Sequence, residues 1–253
     1  MARVIGIISG KGGVGKTTLT ANLGASLAHF FKKNVTVIDC NITTSHLSLY
    51  LGIHFCPTSL NKVLRNEISI EEALYKHYSG ANIVPASLSW KDLEGVDVIQ
   101  IKDSIKKLFD KTDIILLDAA PGLGREALAA IKACDEVIFV TTPYVPCVMD
   151  VIRCLEVVNE IGVKPLGIVL NMVGNERYEM KKKEIEQLTG LPVIASIPSD
   201  KNVLKSLALR TPVVLFNKKS KASREIIKLA GNLIGETYRE EGFFSRIFKK
   251  LRL

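Results

Sequence analysis

Apolar and polar positions along this 253-residue chain fall into two alternating patterns. Short runs rich in Val, Ile and Leu recur at residues 4–8, 35–39, 82–85, 113–118, 136–141, 166–171 and 193–197. Continuous apolar runs of this length predict strands covered on both faces. Between them, residues 18–31, 104–109, 125–133, 148–161, 179–188 and about 220–239 carry apolar residues at helical spacing, with Gly242 placed to close the last helix. The alternation predicts an α/β fold, a predominantly parallel sheet with helices on both faces in a three-layer sandwich. With no internal repeat and no low-complexity linker, residues 1–241 are expected to form one domain and residues 242–253 a separate terminal segment.

The first strand-to-helix junction carries the chemistry. Gly10, Lys11, Gly12, Gly13, Val14, Gly15, Lys16, Thr17 and Thr18 fit the pattern G-x-x-x-x-G-K-[ST]. Glycines let such a loop wrap closely enough for backbone N–H groups to face phosphate oxygens; Lys16 can then reach the β/γ-phosphates and the Thr17 hydroxyl can ligate Mg²⁺. The preceding apolar run and the following amphipathic stretch supply the strand, loop and helix that the motif requires, so the chain reads as a P-loop nucleotide triphosphatase.

Ligands of open parallel sheets bind at the carboxyl ends of the strands, and two carboxylates stand at such ends: Asp39 after the second run and Asp118 after the 113–118 run. Beside a phosphate loop, each suits direct or water-mediated Mg²⁺ coordination; the alternative for each is a helix cap or turn former.

Composition narrows the setting. Hydrophobic residues make up 47% and charged residues 24%, as in ordinary globular proteins. The first run begins too early to leave room for a signal peptide, and no apolar stretch approaches the roughly 18 residues needed to span a bilayer. Cys40, Cys56, Cys134, Cys147 and Cys154 contain no C-x-x-C pair and read as reduced packing residues, which places the protein in the cytoplasm. The formal charge of +8 calls for an anionic partner, nucleic acid or membrane. Lys181, Lys182 and Lys183 are interleaved with Glu179, Glu184 and Glu186, the pattern of a solvated helix face.

The other basic group is the last twelve residues. At roughly 100° per residue, Phe243, Phe244, Ile247, Phe248 and Leu251 share one arc and Arg246, Lys249, Lys250 and Arg252 the other, with Leu253 alone breaking the pattern. Such a helix is suited to a membrane interface; the alternative is docking on the domain core. Each cation near an anionic leaflet gains about 1 kcal/mol and each buried Phe, Ile or Leu roughly 1.5–3. Ordering about ten residues costs roughly 1–2 kcal/mol apiece, so one tail binds weakly and two on a dimer bind with avidity.

The string from Lys11 to Thr18 resembles the deviant Walker-A ATPases of the MinD/ParA family, and the patterned tail resembles that family's MinD branch. The resemblance covers the chain from the first strand to the tail. It implies that Lys11 crosses an interface to the nucleotide of the other subunit, so that the ATP form is a homodimer. It also implies that Asp118 with Pro121 and Gly122 forms the second switch, here Asp-Ala-Ala-Pro-Gly rather than Asp-x-Pro-Ala-Gly. Asn171 matches an adenine-reading asparagine, Pro198 and Asp200 lie in a loop like the one packed over adenine, and Asp150 falls at an interface carboxylate. The GTPase signature Asn/Thr-Lys-x-Asp is absent from both places, which favours ATP.

One departure bears on rate. The family's first switch reads Asp-x-Asp, and this chain has Asn41 at the second position. An amide can hold a water but cannot take its proton at neutral pH, so ATP binding with slow hydrolysis is expected, Lys11, Lys16, Asp39, Asn41 and Asp118 being the catalytic set.

The leading expectation is therefore a membrane-associated ATPase switch on the inner face of the cell membrane that positions other machinery, such as the division apparatus, and answers to an unidentified activator or recruited protein. A DNA-binding partition ATPase of the ParA type, and a non-hydrolysing nucleotide-gated scaffold, remain open. A redox ATPase like the nitrogenase iron protein is disfavoured, because Cys134 has no partner cysteine in a glycine-rich loop near residue 95.

Overall fold

The computed structural model describes residues 2–174 and 176–238. Its strands are β1 (Arg3–Ile8), β2 (Val35–Asp39), β3 (Tyr75–Lys76), β4 (Asn82–Val84), β5 (Ile114–Asp118), β6 (Glu136–Thr141), β7 (Lys164–Val173) and β8 (Val193–Pro198). They form one sheet in the order β3-β4-β2-β5-β1-β6-β7-β8, in which only the edge pair β3 and β4 is antiparallel. The helices are α1 (Lys16–Phe31), α2 (Leu47–Tyr50), α3 (Leu60–Leu64), α4 (Ile101–Lys106), α5 (Arg125–Lys132), α6 (Val145–Ile161), α7 (Lys182–Thr189), α8 (Lys201–Ala208), α9 (Val213–Phe216) and α10 (Lys221–Leu233).

Two apolar layers lie on the two faces of the sheet, and the strands feed them alternately. Val4, Ile8, Ile115, Leu117, Val137 and Phe139 face the side covered by α3 to α7. Ile5, Ile7, Leu116, Ile138 and Val140 face the side covered by α1, α9 and α10. A strand buried on both faces needs no polar alternation, which is why these segments read as unbroken apolar runs. Each fully buried Ile or Leu contributes about 1.5–3 kcal/mol of transfer free energy, so the two layers hold the sheet as a rigid platform. On one of them α1 presses close to β2: a Cβ at Gly24 would meet Val37 Cγ2 at 2.4 Å.

The α/β sandwich expected from the pattern is present, with shifts at element ends. The helix expected at 104–109 runs instead from Ile101 to Lys106, and that expected from 148 starts at Val145, because Pro146 fits the first turn, where no backbone N–H is needed. The helix expected over 179–188 spans Lys182–Thr189, and β7 extends to both sides of 166–171. The last helix was expected to run to about 239 and close at Gly242. It ends at Leu233, where the chain turns through Gly235 at φ 69°. The left-handed backbone there stops the helix, and glycine adopts it at little cost.

Register sets the site. Parallel pairing of β2 with β5 brings Asp39 level with Asp118, and β1 pairs Ile7 with Asp118 on one side and Ile138 on the other. Both carboxylates thus stand at strand carboxyl ends beside the loop that leaves β1.

Candidate functional site

Residues 10–15 join β1 to α1 and form an uncapped helix start. The N-cap of α1 is Gly15, at φ 87°, with no side chain to bond the first-turn amides and no acidic residue in the first turn. The first N–H groups of a helix lack intrahelical partners and carry the positive end of its dipole, so this terminus is left for an anion. Gly13 is also left-handed, at φ 83°. The loop's flanks are crowded and its crest is open. A Cβ at Gly10 would meet Asp150 at 2.4 Å and one at Gly15 would meet Asn171 Nδ2 at 2.1 Å, whereas one at Gly12 or Gly13 would meet nothing within 4 Å. The cleft over the loop has a volume of about 380 Å³ and is lined by residues 11–18 together with Asn41, Thr44, His46, Tyr50 and Pro121.

Beneath the loop lies a buried polar cluster. Lys16 Nζ donates to Asp118 Oδ1 at 3.0 Å, and the Thr20 hydroxyl donates to the same oxygen at 3.1 Å. Asp118 Oδ2 is buried with no hydrogen-bond partner among the described residues. Asp39 Oδ2 accepts from the Ser45 hydroxyl at 2.7 Å and the Leu47 N–H at 3.2 Å, and Oδ1 accepts from the Asn41 N–H at 3.1 Å. Burial, then the neighbouring Asp118 charge, push the Asp39 carboxyl up to about 7 against these three donors. An orphaned carboxylate oxygen, a second carboxylate short of positive charge and a ring of free amides above them form a donor set for a phosphate and a divalent cation together.

The remaining site residues gather around the cleft. Asn171, on β7, donates from Nδ2 to the Val14 carbonyl at 2.8 Å, tying the loop to the neighbouring strand. Next to it a cavity of about 310 Å³ is lined by Thr18, Asn171, Met172, Pro198, Asp200 and Leu207 among others. The structure therefore brings Asn171, Pro198 and Asp200 together beside the phosphate loop. Asp200 also caps α8: Oδ1 accepts from the Asn202 N–H at 2.8 Å and Oδ2 from the Ala222 N–H at 3.1 Å. Burial raises its carboxyl, but these amides outweigh that and hold it below the usual value. Gly122 turns at φ 77° and its N–H donates to the Ser9 carbonyl at 2.8 Å, linking the 121–122 turn to the loop. Asp150, on α6, backs Gly10 and lies 3.4 Å from Arg153. Lys11 is exposed and forms no ion pair among the described residues.

A family model for ParA, described as the NUBPL iron-transfer P-loop NTPase, matches residues 1–234. The crystal structure of the cell division ATPase MinD of Pyrococcus furiosus superposes with a TM-score of 0.89 at 32% identity, covering 93% of this chain and 99% of that one. The chain belongs to the ParA/MinD family of P-loop NTPases. An uncharacterized ATP-binding protein of Methanocaldococcus jannaschii is 35% identical over 257 residues, 99% of this chain and 97% of the relative. The septum site-determining protein MinD of Pyrococcus horikoshii, complexed with Mg-ADP, matches with a TM-score of 0.88 at 32% identity, covering 92% of this chain and 96% of that one.

Both ends of the Asn41 amide are occupied by one residue: Nδ2 donates to the Thr44 carbonyl at 2.8 Å, and Oδ1 accepts from the Thr44 hydroxyl at 3.0 Å. Asn41 thus clamps its own loop while lining the cleft. All five cysteines are free, and Cys40, Cys134, Cys147 and Cys154 are buried; among the described residues no three His, Cys, Asp or Glu side chains are grouped to hold a metal ion. Burial pushes the Cys134 thiol far up and the Cys154 thiol up to about 11.

Two members of the buried cluster were not singled out from sequence. Thr20 follows Lys16 by four residues and so shares its helix face, a spacing that could have pointed to it. Ser45 reaches Asp39 only because residues 40–46 double back, which leaves no periodic signal. Phe243, Phe244, Arg246, Ile247, Phe248, Lys249, Lys250 and Leu251 lie outside the described residues.

Proposed function

We propose that this chain is a slow ATPase switch that binds ATP with Mg²⁺ and dimerises in that form. It then docks on the anionic inner face of the cell membrane through residues 242–253, with residues 1–241 as the ATPase domain, and positions cellular machinery, cell division being the process. The observation that carries this reading is the division of labour between the loop's two lysines. Lys16 is buried against Asp118, whereas Lys11 stands exposed and without an ion pair among the described residues, beside a crest at Gly12 and Gly13 that no described residue crowds. A cation so placed is available to a nucleotide brought by a second copy.

The free amides of the loop, Lys16 and Thr18 would hold the phosphates; Thr17, with Asp39 and Asp118 behind it, would hold Mg²⁺; Asn171, Pro198 and Asp200 would frame the base. When bound, Mg²⁺ neutralises charge on the transferring phosphate. Asn41 can orient a water by hydrogen bonding, but its amide accepts no proton, so hydrolysis is slow and the ATP state long-lived. The cell division ATPase name of the Pyrococcus furiosus relative and the septum site-determining name of the Pyrococcus horikoshii one support the process, and the Mg-ADP of the latter supports the nucleotide and metal. No helix among the described residues is long and apolar enough to cross a membrane.

Co-sedimentation with anionic vesicles under ATP, ADP or no nucleotide tests this, comparing the full chain with one ending at Glu241. Binding that needs both ATP and the tail is expected. Binding indifferent to nucleotide, or absent altogether, overturns the switch, and the latter outcome turns attention to duplex DNA.

A further inference from the structure

The outer face of α10 carries charge that the fold leaves unanswered. This helix buries Ala222, Ile226, Ile227, Leu229 and Ala230 and turns Lys221, Arg224, Lys228 and Asn232 to solvent. Steps of three and four residues place these on one line along the helix. Neither Lys218 nor any of the three cations on the helix forms an ion pair among the described residues. Glu225, one turn from Lys221, does not pair with it. Arg224 and Lys228, with Lys218, border a cavity of about 340 Å³ whose lining also includes Ile227 and Tyr238; Lys221 continues the same line on the helix outside that lining. The carboxylate in that lining is Glu236, already paired with Lys33 at 2.7 Å.

Position adds to charge. Tyr238 is the last described residue, so the amphipathic segment at 242–253 follows the cavity within a few residues. On its inner side α10 packs on α1, where Phe31 lies 3.0 Å from a Cβ placed at Gly231. The same α1 begins at the phosphate loop.

We infer that this face is a second membrane contact, a cradle in which Lys218, Arg224 and Lys228, with Lys221 beside them on the same helix face, bind anionic phospholipid headgroups next to the apolar surface of Ile227 and Tyr238. The inference rests on the membrane reading above and deepens it. The tail holds a leaflet from one end of the cavity, and the cations of α10 meet the headgroups beside it. Two contacts fix orientation where one tail would leave the domain free to swivel, so the phosphate loop takes a set angle to the membrane through α1. Lipid is favoured over a nucleic acid because the cations flank an apolar cavity whose lining ends in sequence at Tyr238, four residues before the amphipathic segment begins, rather than lying along a polar groove.

Each cation near an anionic leaflet strengthens binding about fivefold, an effect screened beyond about 10 Å at 0.1 M salt. The full-length triple variant Lys221→Gln, Arg224→Gln, Lys228→Gln is the test, on vesicles of phosphatidylcholine with and without phosphatidylglycerol, with ATP and Mg²⁺. These side chains are exposed, and retained nucleotide binding will verify the fold. Affinity for the anionic vesicles is expected to fall ~10- to 100-fold, with a shallower salt dependence. A variant that binds as wild type overturns the cradle while leaving the tail's role intact. Unchanged vesicle binding with loss of duplex DNA binding assigns the face to nucleic acid and overturns the lipid assignment. Wild-type protein that ignores the vesicles overturns the membrane reading itself, and the cradle with it.

Discussion

At the residue scale the site is a problem of charge in a small space. Two carboxylates stand level on adjacent strands; the buried Lys16 pairs with Asp118, whose other oxygen has no hydrogen-bond partner among the described residues, and Asp39 is left with a raised carboxyl. Asn41 sits at the rim of that cluster, and replacing it with the acid that the family resemblance leads one to expect alters two things at once. A carboxylate oxygen placed where Nδ2 now faces the Thr44 carbonyl loses the 2.8 Å hydrogen bond and loosens the 41–44 loop, while the other oxygen still accepts the Thr44 hydroxyl. Against that, the cleft gains a proton acceptor. The Asn41→Asp variant is expected to hydrolyse ATP roughly 10- to 100-fold faster, the low end for a general base because phosphoryl transfer depends mostly on positioning and charge. Single-turnover hydrolysis checks it. An unchanged rate would place the limiting step elsewhere, and a slower one would mean that the Thr44 clamp matters more than the proton.

At the element scale the hairpin of β3 and β4 is the sheet's one antiparallel edge among the described residues, and a histidine organises its turn. His77 is buried, with Nδ1 2.7 Å from the Ser79 hydroxyl and accepting the Ser79 N–H at 3.2 Å, while Nε2 has no hydrogen-bond partner among the described residues. Burial pushes the imidazole down to about 4. The unfolded chain takes up a proton below the ordinary value of 6.5 and the folded chain does not until about 4. Stability is therefore full at neutral pH and falls as pH drops through that window, by on the order of 1 kcal/mol at pH 5. In denaturant unfolding at pH 7 and pH 5, wild type should lose more than His77→Gln by about that amount; equal losses would remove His77 as the cause. The hairpin also shows where sequence reading stops. Long β-branched runs at β1, β5 and β6 announce themselves, because burial on both faces selects apolar residues at every position. Tyr75–Lys76 is a two-residue strand held by its turn, and α2, α3 and α9 span four or five residues, too short for any period to emerge. The overextended last helix had a local cause, since Gly235 rather than Gly242 supplies the left-handed residue that ends it.

For the whole molecule the question is whether the open crest of the phosphate loop is closed by a second copy. The motif was legible because its chemistry is local: nine consecutive residues supply the amides, the buried cation and the hydroxyl. Dimerisation is not local, and it turns on which lysine faces outward. Lys16 holds Asp118 in the interior, so Lys16→Ala leaves a buried carboxylate without its counter-charge, costing about 3–5 kcal/mol, and is expected to abolish nucleotide binding. Lys11 anchors nothing by its side chain among the described residues, and the crest beside it is uncrowded, so Lys11→Ala should fold and bind ATP much as wild type does. What it should lose is the second copy. Light scattering with Mg-ATP is expected to show wild type shifting to twice its monomer mass while Lys11→Ala stays monomeric, and calorimetry is expected to show similar ATP affinities for the two. Bringing two copies with a net charge of +8 together needs phosphate charge at the interface, so the wild-type shift should also vanish without nucleotide. If Lys11→Ala dimerises under ATP as readily as wild type, the exposed lysine is a solvated charge and the switch must close by other contacts.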